Sequence, residues 1–249
     1  KEVRNLFQDL LIGVTNFFRD PDAFTFLKQQ VLPGLISNGK NEPFRVWVPG
    51  CATGEEAYSV AIVLQECLEE REIRRDIQVF GTDIDFRAIE KARQGAYVKN
   101  IVSDVSGERL KHFFTKEDGR YRVKTAIREQ VVFAEQNVLS DPPFSKLDLL
   151  VCRNLLIYLK PKAQNSLIPL FHYALRDGGV LFMGTSEDVG RFHDLFESLS
   201  KQFSIYRKKN HVIRPQVDFP TAKRLERPVK TLEAEAEAEG SETSVGRAA

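Results

Sequence analysis

The strongest constraint on the fold of this chain is an alternation of strand-like and helix-like segments around a glycine-bearing turn. Residues 44–48 have the apolar pattern of a strand, and residues 49–54 form a turn with two glycines. Apolar residues then recur at helical spacing over residues 55–68, before a second strand-like run at residues 77–81. The order strand, glycine turn, helix, strand predicts a βαβ unit, and therefore a parallel sheet with right-handed crossovers.

The same alternation continues along the chain. Asp83 follows the second strand, and a helix is expected over residues 86–94. Further strands are predicted at residues 131–133, 147–152, 180–184 and 203–206, with a helix at residues 161–175 that stops at Gly178-Gly179. The run at residues 147–152 is almost wholly apolar, as expected for a strand covered on both faces. The fold class is therefore α/β with a Rossmann-like sheet.

Three segments depart from this alternation. Residues 1–20 are interpreted as an N-terminal helix and a linker that precede the main domain at residues 21–209. Residues 95–129 contain a short helix and a hairpin, which predict a small inserted antiparallel β-subdomain. Residues 210–249 carry few large apolar side chains, so we expect a flexible linker or tail there.

Composition and charge exclude several classes of function. The formal net charge of +1 gives no long-range attraction to nucleic acid or to an anionic membrane. No apolar run approaches the ~20 residues of a membrane span. The three cysteines form no paired motif, and the four histidines show no metal-ligand spacing. We therefore expect a cytoplasmic protein with no metal, no nucleic-acid partner and no direct membrane insertion.

The turn at residues 49–54 indicates the kind of ligand. It lacks the Gly-x-Gly-x-x-Gly pattern that seats a dinucleotide pyrophosphate, and it is followed by Glu55 and Glu56. Acidic side chains at a helix start disfavour phosphate and suit a cation. S-adenosylmethionine (SAM) carries a sulfonium and an ammonium, so it fits this turn better than a nicotinamide dinucleotide. The structural alternative, in which both glutamates only complement the helix dipole, stays open.

Two acids follow the second predicted strand. Asp83 lies where an acid accepts hydrogen bonds from both ribose hydroxyls in dinucleotide folds. The alternative is that one of the acids caps the next helix. Because Asp85 is adjacent to that helix, we assign the cap to Asp85 and the ribose to Asp83.

Polar residues also follow the buried strand at residues 147–152. Arg153, Asn154 and Tyr158 come directly after it, and Asn137 follows the preceding strand. Ligands of open α/β sheets bind outside the carboxyl ends of the strands, which favours a binding site here over a solvated loop.

A last segment, residues 14–20, pairs two phenylalanines with Arg19. Asp20 and Pro21 predict the start of a helix that Pro33-Gly34 weakens or stops. The segment is either part of the site or a hydrophobic joint in which Arg19 forms an ion pair with Asp20 or Asp22, and the residues alone do not separate these.

Five motifs in order resemble the successive signatures of the CheR chemoreceptor methyltransferases. They lie at residues 15–19, 54–59, 82–85, 152–158 and 184–187, and the similarity covers about residues 10–208. The resemblance implies a SAM-dependent methyltransferase domain with an inserted β-subdomain, preceded by a cofactor-site linker. It also implies a cofactor site lined by Thr15, Arg19, Glu56, Asp83, Asn137, Val138, Arg153 and Asn154, with Arg19 and Tyr158 as the catalytic residues nearest the transferred methyl group.

The activity implied by this resemblance is O-methylation of glutamate side chains on the cytoplasmic part of a chemoreceptor-like protein. The sequence of residues 14–21 is most similar to the CheR portion of fusion proteins that also contain methylesterase and sensor domains. Two other functions remain. A nicotinamide-dependent oxidoreductase is disfavoured by the missing glycine fingerprint. A non-catalytic module that senses SAM or S-adenosylhomocysteine is disfavoured by the presence of Arg19 and Tyr158.

Overall fold

The computed structural model describes residues 15–37 and 42–210, which form a seven-stranded sheet covered by helices and a separate three-stranded sheet. The helix predicted within residues 1–12 and all but the first residue of the predicted tail lie outside the described residues. The strands are β1 (Phe44–Pro49), β2 (Ile77–Asp83), β3 (Ala96–Val98), β4 (Phe114–Glu117), β5 (Arg120–Val123), β6 (Val131–Glu135), β7 (Leu147–Cys152), β8 (Leu175–Met183), β9 (Phe196–Ser200) and β10 (Ile205–Lys208). The helices are α1 (Pro21–Phe26), α2 (Leu32–Ser37), α3 (Glu55–Glu70), α4 (Phe86–Gln94), α5 (Gly107–Phe113), α6 (Thr125–Arg128) and α7 (Pro161–Ala174).

The large sheet has the strand order β6-β2-β1-β7-β8-β10-β9. Strands β6, β2, β1, β7 and β8 are parallel neighbours, and β10 is antiparallel to both β8 and β9. The chain progresses outward from β1 to β2 and β6, then returns to β7 on the other side of β1. This reversal places the topological switch point, where ligands bind in such sheets, between the carboxyl ends of β1 and β7. The predicted Rossmann-like α/β fold is confirmed.

Alternate residues of the central strands pack into two separate apolar clusters, one on each face of the sheet. In β1, Val46 and Val48 belong to one cluster, whereas Trp47 belongs to the other. In β7, Leu149 and Leu150 divide in the same way. Every residue of β7 is buried, as the apolar run predicted.

Of the two effects predicted for Pro33-Gly34, the stop is wrong, because the helical segment continues to Ser37. Helix α1 is followed by a π-helical turn, Leu27–Val31, and then directly by α2. A proline inside a regular α-helix removes one backbone hydrogen bond and clashes with the preceding turn. The π turn absorbs an extra residue just before the proline, and Pro33 lies in the first turn of α2, where its missing N–H is tolerated.

The predicted boundary at Gly178-Gly179 is also wrong, because α7 ends at Ala174 and both glycines lie inside β8. The pairing of β8 with β7 shifts there, from Leu147 opposite Leu175 to Leu149 opposite Val180. Gly178 has a φ of +73°, a conformation that favours glycine at such an irregularity. The predicted last strand at residues 203–206 is β10, and β9 beside it was not predicted.

The inserted β-subdomain is confirmed as a three-stranded antiparallel sheet in the order β3-β5-β4. Asp118 and Gly119 connect β4 to β5 with φ angles of 45° and 76°. Two consecutive positive φ values are typical of the tight type I′ hairpin turn. Helix α5 joins the subdomain to α3 through Arg109, whose Nε and Nη2 donate to the two carboxylate oxygens of Glu66 at 2.7 and 2.9 Å.

A buried guanidinium stabilises the amino ends of the central strands. Arg75 lies just before β2 and donates to the carbonyls of Leu35 and Ile36 at the end of α2, each at 3.2 Å. It also donates to Oδ1 of buried Asp148 in β7 at 3.2 Å, while the other oxygen of Asp148 accepts from the backbone N–H of Arg45 at 2.8 Å. This network therefore connects α2, β1 and β7 at the end of the sheet opposite the switch point.

We predict that Arg75→Ala lowers the free energy of unfolding by about 3 kcal/mol, since it leaves buried backbone carbonyls without their donor, while Asp148 keeps Arg176 as a cationic partner at 3.2 Å. The affinity for S-adenosylhomocysteine, measured by calorimetry on the folded fraction, should stay within about twofold because the network is at the far end of the sheet. The exposed neighbour Arg74 provides the control: Arg74→Ala should change unfolding by less than about 0.5 kcal/mol in the same urea titration. Equal losses for the two variants would contradict the assignment.

Candidate functional site

The glycine turn after β1 is shaped by close packing of the two helices that flank the site. Gly54 has a φ of +93°, and a Cβ on it would lie 2.8 Å from the Cβ of Ala92 in α4. The glycine is thus required by backbone conformation and by the contact between α3 and α4. The backbone N–H of Cys51 donates to the carbonyl of Thr82 at 3.0 Å, which holds the turn against the end of β2.

Asp83 lies at the carboxyl end of β2 and connects two backbone segments. Its Oδ2 accepts from the backbone N–H of Ala52 at 2.8 Å, and its Oδ1 accepts from that of Asp85 at 2.9 Å. Burial raises the pKa of Asp83, opposed by these hydrogen bonds. A carboxylate offers about four acceptor positions, so both oxygens retain capacity for hydroxyl donors. Asp85 accepts from the N–H of Arg87 at 2.9 Å, which confirms it as the cap of α4.

Arg153, directly after β7, is the most buried charge of the candidate site. Its guanidinium has no solvent exposure and donates to Oε1 of Glu56 at 2.9 Å and to the carbonyl of Arg19 at 3.0 Å. Its second terminal nitrogen pairs with the carboxylate of Asp20. The guanidinium also lies against the rings of Phe24 and Phe182. The side chain predicted to line the cofactor site is therefore used largely to hold protein groups together.

Glu56 occupies the first turn of α3 beneath this guanidinium. Burial raises its pKa more than the neighbouring Arg153 lowers it. Since Arg153 contacts only Oε1, the other oxygen of Glu56 has no hydrogen bond within residues 15–37 and 42–210. A buried carboxylate with one unused oxygen can accept from a cationic ligand at the switch point.

The segment that carries Arg19 has an unusual backbone. Phe18 and Asp20 have φ angles of 49° and 59°, which are rare for residues other than glycine and often accompany functional sites. Asp20 precedes α1 as predicted, but its carboxylate caps no N–H of the helix and binds Arg153 instead. An ion pair between Arg19 and Asp20 or Asp22 is absent from the described ranges. Within the same ranges, the guanidinium of Arg19 has no hydrogen bond or ion pair.

Both aromatic residues of this segment are buried, so it forms a hydrophobic joint. Phe17 makes edge contacts with Tyr97 and Phe114 of the β-subdomain, with ring centroids 4.9 and 5.4 Å apart. The backbone N–H of Phe18 donates to Oγ of Ser59 in α3 at 2.9 Å. Tyr97 in turn donates its hydroxyl to the carbonyl of Thr53 in the glycine turn, at 2.8 Å. The inserted subdomain therefore contacts two walls of the site.

The loop after β7 brings two more predicted residues to the same edge. Asn154 has a left-handed φ of 56°, and a 3-10 turn, Leu156–Tyr158, follows it. Tyr158 is half-exposed. The sequence interpretation assigned no role to Glu187, whose buried carboxylate accepts backbone hydrogen bonds from this loop. Its position in the last of the five motifs was the available signal.

The remaining predicted residues are less tightly defined by contacts. Asn137, after β6, uses its side-chain oxygen to accept from the N–H of Leu139 at 3.0 Å. Val138 is partly buried against the apolar cluster on one face of the sheet. Thr15 is the first described residue and is partly exposed. The ends of β2, β6 and β7 thus bring Asp83, Asn137, Val138 and Asn154 to one sheet edge.

Across residues 15–37 and 42–210, no group of three or more His, Cys, Asp or Glu side chains could hold a metal ion. No helix in this part of the chain is long and apolar enough to cross a membrane.

Comparison with known families identifies the domain. A family model described as CheR methyltransferase, SAM binding domain, matches residues 13–205. The chain belongs to this family. Its cofactor is S-adenosylmethionine, and the predicted resemblance is confirmed.

Curated relatives of this CheR domain differ in length. A Rhodobacter capsulatus protein named "Uncharacterized 104.1 kDa protein in hypE 3'region" is 39% identical over 87% of this chain and 23% of its own length. The "Putative methyltransferase Cher3" of Pseudomonas putida is 35% identical over 82% of this chain and 76% of its own. "Chemotaxis protein methyltransferase 1" of Pseudomonas aeruginosa is 33% identical, over 78% and 73%. The chain thus spans less than a quarter of the first relative and about three quarters of the other two.

We predict that Asp83→Asn weakens S-adenosylhomocysteine binding about 10- to 100-fold, because an amide cannot accept from every donor that faces the carboxylate. Asp85→Asn is the matched control. Asparagine caps a helix almost as well as aspartate, so its affinity should stay within about twofold. Calorimetry that gives the two variants the same affinity would remove Asp83 from the cofactor site.

The raised pKa of Asp83 adds a pH test. Only the ionised carboxylate accepts from two hydroxyls, so wild-type affinity should fall as the pH drops through this raised pKa. The loss should begin at a higher pH than an exposed aspartate would give. Asp83→Asn should abolish this loss of affinity at low pH. A variant with the same pH profile as the wild type would contradict the assignment.

Proposed function

We propose that this CheR domain transfers the methyl group of SAM to glutamate side chains on chemoreceptor-like proteins and forms glutamate methyl esters. One observation carries the proposal. At the candidate site the guanidinium of Arg153 is paired with Glu56 and Asp20, whereas that of Arg19 makes no hydrogen bond or ion pair in the described ranges and acts on Glu56 only through its charge. An unpaired guanidinium beside the cofactor edge is suited to bind a substrate carboxylate.

The residues present fit the cofactor. Asp83 retains acceptor capacity for the ribose hydroxyls, and the free oxygen of Glu56 can accept from the ammonium group. Thr15, Asn137, Val138 and Asn154 are proposed as the remaining lining residues. When bound, SAM would supply a methyl group on a sulfonium, and the neutral thioether S-adenosylhomocysteine would be a good leaving group. The surrounding residues therefore need to bind and orient, rather than to activate the methyl donor.

The acceptor also needs little activation. A glutamate with a reference pKa near 4.3 is already ionised at pH 7, so no general base is required. The three described histidines, His112, His172 and His193, make no hydrogen bond to a proposed site residue. We assign Arg19 to hold the incoming carboxylate and Tyr158 to orient it. Alignment of two reacting groups can supply roughly 7–11 kcal/mol of barrier reduction.

The names of the relatives support chemotaxis as the setting. Several relatives at about one-third identity are named chemotaxis protein methyltransferases. The R. capsulatus relative, of 104.1 kDa, is much longer than this chain. We therefore also propose that this domain acts beside other signalling domains, such as a methylesterase and a sensor, in one polypeptide.

The test uses SAM labelled in the methyl group and cytoplasmic fragments of chemoreceptors from the same genome. Carboxyl methyl esters release labelled methanol in mild alkali, whereas methylated amines do not, so the released label identifies the substrate class. We predict that Arg19→Ala lowers kcat about 100-fold or more. Lys at the same position should rescue poorly because it lacks the planar fork of arginine.

The melting temperature of Arg19→Ala should match that of the wild type, since its guanidinium has no described partner. Exposed Arg87 supplies the control, and Arg87→Ala should retain activity. Near-normal turnover in Arg19→Ala would reject Arg19 as the carboxylate ligand. If the wild type binds SAM but transfers no methyl group to any receptor fragment, the sensor function becomes the better description.

A further inference from the structure

We infer that Glu187 is a positioning residue for methyl transfer, because its carboxylate fixes the loop that presents Tyr158 to the substrate. This inference rests on the proposed function. It deepens that function by adding a residue that touches neither cofactor nor substrate and acts through Tyr158.

The carboxylate of Glu187 is buried at the carboxyl ends of β7 and β8, where four backbone N–H groups converge on it. Oε2 accepts from Asn154 at 2.8 Å and from Gly184 at 2.9 Å. Oε1 accepts from Leu156 at 2.7 Å and from Ile157 at 3.3 Å. Hydrogen bonds to a carboxylate are about twice as strong as those between neutral groups. The hydrogen bonds to Glu187 therefore hold this short loop firmly in place.

The backbone of the loop satisfies only some of its own N–H groups. The N–H groups of Tyr158 and Leu159 bond within the turn, whereas those of Leu156 and Ile157 bond to Glu187. Asn154 adopts a left-handed conformation, and the Leu156–Tyr158 turn is too short to satisfy its first N–H groups internally. Glu187 provides the missing acceptors from a segment about 30 residues away, as a helix cap would do locally. Tyr158 immediately follows Ile157, so this anchoring sets the position of its backbone, together with Gln164, whose Nε2 donates to the carbonyls of Leu156 and Leu159.

The first residue of the motif that contains Glu187 is a glycine because a side chain would not fit there. A Cβ at Gly184 would lie 2.7 Å from Oε2 of Glu187 and 3.0 Å from the backbone nitrogen of Asn154. Any side chain at Gly184 would therefore separate the carboxylate from the loop. Within residues 184–187, Gly184 thus leaves the space that the carboxylate of Glu187 needs to reach the loop.

The variant Glu187→Gln tests the role. Each oxygen of Glu187 accepts from two N–H groups, so an amide nitrogen in either position would face two donors. We expect kcat for receptor methylation to fall about 10- to 100-fold, the scale of a 1 Å misplacement, while the affinity for S-adenosylhomocysteine changes less than about threefold. Asp188→Asn is the control, because exposed Asp188 accepts from a different N–H, that of Gly190, at 2.7 Å. It should leave kcat unchanged.

A double-mutant cycle separates positioning from general stability. If Glu187 acts through Tyr158, then Glu187→Gln introduced into a Tyr158→Ala background should cost less than about threefold in kcat. An equal loss in both backgrounds would overturn the inference, as would a Glu187→Gln enzyme with normal kcat. Both of those results leave the proposed function intact, whereas an inactive wild type would count against the proposed function itself.

Hydrogen exchange gives a readout that needs neither activity nor the variant. In the wild type, the amides of Asn154 and Leu156 should be protected at least about 100-fold, although neither N–H bonds within a helix or a sheet. Glu187→Gln should remove most of that protection if it folds. Exchange of these amides at unprotected rates in the wild type would overturn the inference whether or not methyl transfer is observed.

Discussion

The buried guanidinium of Arg153 is the interaction on which the candidate site depends. It joins the end of β7 to Glu56 in α3 and to Asp20 and the Arg19 carbonyl in the segment before α1, across separations of 97 to 134 residues. Burying these charges is costly, so such a pair is weak evidence for stability, but removing one partner leaves an uncompensated charge. The contacts of Arg153 therefore serve mainly to fix the backbone that carries Arg19. They involve the carbonyl of Arg19 and leave its guanidinium available to bind a ligand.

The inserted β-subdomain packs directly against the candidate site. Phe17 packs against Tyr97 and Phe114, and the Tyr97 hydroxyl reaches the carbonyl of Thr53 in the glycine turn. Arg109 of the subdomain also lies over the ring of Phe18, 4.1 Å from its centroid. Since these contacts reach both the turn and the segment of Arg19, a shift of the subdomain would be transmitted to both.

The two ends of the sheet use buried charge for different purposes. At the amino ends, Arg75 and Asp148 satisfy one another and several backbone groups, which closes the network. At the carboxyl ends, Asp83 and Glu56 are held in place but keep unused acceptor capacity, and burial raises the pKa of both. Raised carboxylate pKa values reflect desolvation that a cationic or hydroxyl-bearing ligand can offset, so we expect ligand binding at this end of the sheet.

The sequence by itself determined the order of the parallel strands along the chain, the inserted hairpin, the cap at Asp85 and the family, because these depend on local periodicity, turn chemistry and short motifs. Only the tertiary structure decided how the polar residues divide their roles. A local rule placed Asp20 as a helix cap and the family resemblance placed Arg153 at the cofactor, yet the two side chains bind each other. The four N–H groups around Glu187 and the irregular pairing at Gly178-Gly179 depend likewise on contacts between distant strands. A hydrogen-bond partner that lies 30 to 130 residues away leaves no periodic trace in the sequence, so it becomes visible only when the sheet brings the strand ends together.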